Sequence, residues 1–317
     1  MRVWLSIALL AALAACGDGN PFDQLPPGNE GQAPDASTNG IPESLAGNLQ
    51  SSTYDPGTGT LRLVLTSLDA APRIATYTRT MGLDIVSPTT GARYQAFTQQ
   101  NDGLDRHFIA LVAESADAGN SVQAGVVSDG GQFNRFFSGG FYQRDGAYDP
   151  PGGIGSPSGL VSYAGNYAGV TNIDAPGGPN LLPPPAGTDP SVLPAQSSRT
   201  QGEIFLNVDF ADNAVNGSVY DRTLVDSTTA LPDIVLVDGD IAGDGTFLGT
   251  VEYDGDPTRS IGDFGGIFGG TNAAAVGGVV SLNEFFDDSN IANNAERERG
   301  VFVLIQCGQP GDDPACP

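Results

Sequence analysis

Apolar and polar residues alternate along most of this chain, in runs of five to ten residues cut by turn residues. That period of two marks half-buried strands, and almost no stretch keeps a helical period. In Leu61, Leu63 and Leu65 one face is apolar; Ile74, Thr76 and Thr78 oppose Ala75, Tyr77 and Arg79. Further strands are expected over residues 92–98, 106–113, 121–128 and 132–144, with NDG, SADAGN and SDGG as the turns between them. Tyr148-Asp-Pro-Pro-Gly-Gly then breaks the pattern, which sets a domain boundary there. Beyond it, eight runs between residues 160 and 307 read as strands. Ile204, Leu206, Val208 and Phe210 share one face of the second run, and a Pro-rich insert before it is expected to be a surface loop. The chain is therefore all-β: an N-terminal β-rich domain over 42–150, then an eight-stranded antiparallel β-barrel over 160–307. Closure would remove exposed edges, and glycines inside the strands would let them bend. An open sandwich is the other architecture this pattern allows.

The N-terminus constrains location. Arg2 is followed by an apolar stretch from Val3 to Ala12 and then by Leu13-Ala-Ala-Cys16. The stretch is too short for a permanent span and has the layout of a secretory signal over residues 1–15. Its ending resembles a bacterial lipobox, which implies cleavage before Cys16 and lipid on that cysteine. An ordinary signal with a chance cysteine at the cut is the plainer alternative. Residues 16–41 are rich in Gly, Pro, Asn and Asp and are expected to be a disordered tether. Gly17, in place of an Asp, points to the outer membrane, with the protein facing the periplasm or the cell surface.

The 13 basic residues are all arginine and stand against 37 acidic ones, a net charge of −24. Such a surface repels phosphate backbones and anionic headgroups, so nucleic acid is excluded as a partner and the membrane is met only through the lipid. Besides Cys16 there are Cys307 and Cys316, nine positions apart across a Gly/Pro loop. Outside the cytoplasm these are expected to form a disulfide closing the tail 308–317. A metal site there would need further ligands, and no histidine or third cysteine is near.

Several segments of the second block carry a family likeness: YAGNYAG (163–169), GEIFLNVDFADNAVNGSV (202–219), DGTFLGTV (244–251), IFGGTNAAAVGGVVSL (267–282) and GVFVL (300–304). Together they resemble the C-terminal β-barrel of transferrin-binding protein B-type surface lipoproteins. The motifs are glycine-rich and structural, so they speak for the barrel and not for a ligand. Members of that family have two lobes, each a handle domain plus a barrel, whereas one barrel stands here. The resemblance implies a single-lobe surface lipoprotein with a handle, a barrel and a lipid tether. Related one-lobe proteins bind diverse ligands, haem-type ones included.

Catalytic chemistry has little to rest on. His107 is the single histidine, and no G-x-S-x-G element supplies a nucleophile, so no catalytic residue is assigned. No cofactor is assigned either; haem ligation by His107 or a tyrosine, and weak calcium binding, stay open. For calcium the candidates are the acidic segments 238–245, 254–263 and 284–290, whose simpler reading is turns between strands. Aromatic and arginine residues over 132–144 could form a contact patch or belong to core strands. The expectation is a non-enzymatic outer-membrane lipoprotein that binds a ligand or partner, nutrient or iron/haem related, through handle and barrel loops. The alternatives are a structural envelope protein and, last, a secreted-side hydrolase.

Overall fold

A computed structural model describes residues 36–37, 40–67, 72–117, 119–133, 135–285 and 296–317. The signal, Cys16 and most of the expected tether lie outside the described residues. Residues 34–317 form one compact unit. It is all-β; among the described residues the one α-helix is the four-residue α1 (Glu43–Ala46).

The first sheet has nine strands: β1 (Ala36–Ser37), β2 (Leu49–Asp55), β3 (Thr60–Thr66), β4 (Pro72–Arg79), β5 (Ile85–Val86), β6 (Arg93–Gln99), β7 (Phe108–Glu114), β8 (Val122–Asp129) and β9 (Ser138–Arg144). Neighbours in space are mostly neighbours in sequence, in the order β1-β2-β3-β4-β6-β7-β8-β9, with β5 beside β6. Tight turns make this possible; Asp55 Oδ1, for example, accepts from the amides of Gly57 and Thr58 at 2.9 and 3.2 Å. The sheet curls almost into a barrel. Asn48, just before β2, donates its amide to Ser138 O at 2.8 Å, and its side chain accepts from Ser138 N at 3.2 Å. Leu61, Leu63, Leu65, Tyr77, Phe97, Val112 and Phe141 fill the interior.

The second sheet closes completely. Its long strands are β10 (Leu160–Asp174), β11 (Ser197–Asp209), β12 (Ala214–Leu224), β14 (Ile234–Ile241), β15 (Thr246–Tyr253), β16 (Asp256–Gly269), β17 (Ala275–Asn283) and β18 (Arg297–Gln306), with a two-residue β13 (Thr229–Ala230) at the side of β12. Pairing runs β11-β10-β18-β17-β16-β15-β14-β12 and returns from β12 to β11, so eight antiparallel strands form a ring with no free edge. Inward positions pack one aromatic core around Phe268, whose ring centroid lies 5.0 Å from Phe210, 5.1 Å from Phe247 and 5.9 Å from Tyr163.

The two sheets pack wall to wall. Along β7, Phe108, Ala110 and Val112 face the first sheet's core, while Ile109, Leu111 and Ala113 face a seam shared with Ala168, Val170, Val279 and Val301 of the barrel. Strict alternation thus explains why β7 is buried on both faces. Polar bridges cross the seam: Tyr94 Oη donates to Asn166 O at 2.6 Å and accepts from Val303 N at 3.1 Å. Arg299, pushed down to about 10 by burial, reaches Ser44 O at 2.6 Å.

Two expectations need correction, and the alternation in the sequence misses one strand. The described residues of 132–137 are not strand; β9 starts at Ser138, and Gln132 and Arg135 close a turn instead. β2 carries no apolar run in sequence, yet it is a full strand because β3 pairs along its length. The acidic segment 254–263 is not simply a turn, because most of it is β16, held by β15 and later by β17. The Pro-rich insert reaches back to the first sheet, where Leu182 N donates to Gln100 Oε1 at 2.8 Å. Cys307 and Cys316 are disulfide-bonded, with Cα atoms 5.3 Å apart.

Candidate functional site

The incomplete closure of the first sheet leaves a mouth at each end of its apolar interior. β7 spans the distance between them, with Phe108 at one mouth and Glu114 at the other.

The mouth at Phe108, about 250 Å³, is the more apolar of the two: Leu65, Ala75, Tyr77, Leu104 and Phe133 wall it, with Arg73, Gln99, Asp105 and Arg106 also in its lining. Its rim is set by one buried arginine. Arg106 pairs with Asp129 and donates to Arg135 O at 2.9 Å and to Gln132 O at 2.7 Å. Its guanidinium lies 4.8 Å from the Phe137 ring centroid. Gln132 Nε2 adds bonds to Leu104 O and Val192 O at 2.9 and 2.8 Å. The turn so fixed holds Phe133 at φ +56° with 53 % of its surface exposed. A bulky side chain in the left-handed region is strained, and here burial does not offset the strain. Of the five aromatics singled out over 132–144, Phe137, Phe141 and Tyr142 are buried and Phe136 is half-buried. Phe133 is the one held out to solvent by its backbone.

The mouth at Glu114 is larger, about 490 Å³, and polar. Glu114, Gln123 and Gln143 stand opposite one another across β7, β8 and β9. They continue inward rows that are apolar two positions earlier at Val112 and Phe141. Gln143 Nε2 donates to Gln123 Oε1 at 2.6 Å. Tyr54 enters from β2; its ring packs edge-on against Phe97, while its buried hydroxyl has no hydrogen-bond partner. Burial, reinforced by the charge of Glu114, raises that phenol to about 12. The β7–β8 turn at the rim is organised by Asp117. Burial works against its charge, but Ser115 Oγ and the amide of Ser121 (2.9 Å) hold its carboxyl below the usual range.

The remaining candidates fall elsewhere. His107 is 2 % exposed and lowered to about 4 by burial, so its imidazole is neutral. It lies by a separate polar cleft with Thr76, Thr78 and Thr98. Among the described residues, no three His, Cys, Asp or Glu side chains converge as metal ligands would. In 238–245, Asp244 Oδ1 accepts from Thr246 N at 3.0 Å and from its hydroxyl at 2.7 Å, closing a hairpin turn. The segment 284–290 lies mostly outside the described residues.

Residues 157–303 match the family described as C-lobe and N-lobe beta barrels of Tf-binding protein B. Among solved structures, the chain is similar to isotype 1 transferrin-binding protein B from serogroup B Neisseria meningitidis, at 18 % identity over 86 % of this chain and 55 % of that one, with a TM-score of 0.31. It is similar to intact Ap-TbpB with its N and C lobes at 13 % identity over 82 % and 55 %, TM-score 0.34. A structure named only as a surface lipoprotein matches at 17 % identity over 80 % of this chain and 100 % of that one, TM-score 0.34. The chain spans about half the length of these two transferrin-binding protein B structures, 55 % in both cases. A search of curated protein sequences finds no match.

Proposed function

We propose that this chain, transferrin-binding protein B-like in its barrel, is a non-enzymatic protein lipid-anchored at Cys16 in the outer membrane. It captures a protein partner, of iron-carrier type, at the apolar mouth of its first sheet. The observation that carries the reading is Phe133. An aromatic held exposed on strained backbone, beside exposed Leu104 and an apolar recess, has the make-up of an interface anchor. The family described for residues 157–303 gives the partner class to test first. Non-enzymatic action accords with a histidine that is buried and neutral.

The test is biolayer interferometry of the full lipidated chain in detergent against iron-loaded transferrin, iron-free transferrin and haem-carrying serum protein. Binding to one of them, weakened about thirtyfold by Phe133→Ala, is the expected result, as for an anchor contributing roughly 2 kcal/mol. Equal binding by the variant would move the interface elsewhere. No binding by either protein would return the chain to a structural envelope role.

A further inference from the structure

The polar mouth is unexplained by folding. Inward positions of a curled sheet are normally apolar, and at this end Glu114, Gln123 and Gln143 break that rule in a register-matched row. Tyr54 adds a buried hydroxyl without a partner, and leaving such a group unsatisfied costs on the order of 1–3 kcal/mol. A site that presents both features to about 490 Å³ of space is built to meet a ligand's polar groups.

The chemistry of the lining narrows the ligand. Side-chain amides both donate and accept, the phenol does likewise, and Glu114 accepts only. The Gln143–Gln123 bond uses one donor and one acceptor and leaves the Gln123 amide hydrogens and Gln143 Oε1 for other partners. The one cation in the lining, Arg144, is already engaged: it donates to Phe268 O at 2.8 Å, Asp244 O at 3.1 Å and Gly146 O at 3.2 Å, and Glu114 and Asp145 stand in the same lining to repel an anion. A net charge of −24 further disfavours anionic ligands. A compact molecule dense in hydroxyls, each both donor and acceptor and none charged, satisfies this set. We infer that the polar mouth of the first sheet binds a neutral saccharide, a second site separate from the apolar mouth.

The experiment is saturation-transfer NMR, followed by calorimetry, on the full chain in detergent. The probes are glucose, galactose, mannose, N-acetylglucosamine, N-acetylgalactosamine and their disaccharides at millimolar concentration, with spermidine as a cationic control. The expected result is binding of at least one sugar, weakened about tenfold by Tyr54→Phe and by Gln143→Leu, each removing a hydrogen bond to ligand. Tyr54→Phe is isosteric and deletes an orphan hydroxyl, so the melting temperature should hold or rise. Misfolding therefore cannot mimic the loss. Phe133→Ala should leave sugar binding unchanged, which separates this site from the partner interface. Three outcomes overturn the inference: no sugar binds, sugar binding survives both variants, or spermidine binds and no sugar does.

Discussion

The two sheets of this protein have similar strand counts and opposite interiors. The barrel closes, and its inward positions are filled to the point of enclosing charge. Arg222 and Glu298 are both fully buried and paired at 2.7 Å. Glu298 Oε1 also accepts from Tyr167 Oη at 2.5 Å and Thr200 Oγ1 at 3.0 Å, and Arg222 donates to Pro232 O at 2.6 Å. Room for Tyr167 exists only because residue 300 is glycine; a Cβ there would lie 1.8 Å from its hydroxyl. The first sheet stops short of closure, and its core opens at both ends. A closed ring packed around one aromatic core serves as a rigid wall. The sheet that fails to close supplies the space for ligands, braced against that wall through the seam.

The comparison breaks hardest at Glu298. Truncating one partner of a fully buried pair strands the other, so Glu298→Ala should cost about 3–5 kcal/mol, read by chemical denaturation. Replacing both with apolar residues, Arg222→Met with Glu298→Leu, should recover most of that loss. At the mouth of the first sheet, Glu114→Ala should change stability by no more than about 0.5 kcal/mol, because its carboxylate faces an open cleft. A large loss there would make the polar mouth part of the core.

The next largest effect sharpens the contrast through pH. His107 is buried in the first sheet and its imidazole is lowered from 6.5 to about 4 by desolvation. As pH falls, the unfolded chain takes a proton near 6.5 while the folded chain resists it until about 4. Stability is therefore complete above that upper value and declines through the window below it, by roughly 2–3 kcal/mol near its lower end. His107→Gln should remove this part of the acid sensitivity, seen as a smaller difference between denaturation midpoints at neutral and acid pH.

How much of this could be read from the residues differs between the regions in the same way. The barrel's second strand placed Ile204, Leu206, Val208 and Phe210 on one face, and all four are in its core. Leu61, Leu63 and Leu65 did the same for the first sheet. Local alternation suffices when a strand has one dry face. It fails where distant partners decide. Residues 132–137 look like strand, but Arg106, far upstream, binds the carbonyls of Gln132 and Arg135 and makes a turn. The polar mouth escaped notice for a related reason. That Glu114, Gln123 and Gln143 form one row depends on register, which polar residues at strand ends do not specify. The buried Arg222–Glu298 pair joins residues 76 positions apart and left no local signal.

A smaller effect than that of His107 tests whether Phe133 is retained for stability or for contact. Its backbone at φ +56° suits Asn, whose short side chain tolerates the left-handed region, and disfavours a bulky aromatic. More than half its surface is exposed, 53 %, so little burial is lost on replacement. Phe133→Asn should therefore raise stability by up to about 1 kcal/mol, measurable as a small increase in melting temperature. The same substitution should weaken partner binding, because the ring is gone while the Arg106-braced turn persists. Opposite signs in the two measurements would mark a residue held at a cost to the fold for the sake of contact. A drop in stability instead would mean that the ring seals the apolar mouth and that the first sheet is open at its polar end alone.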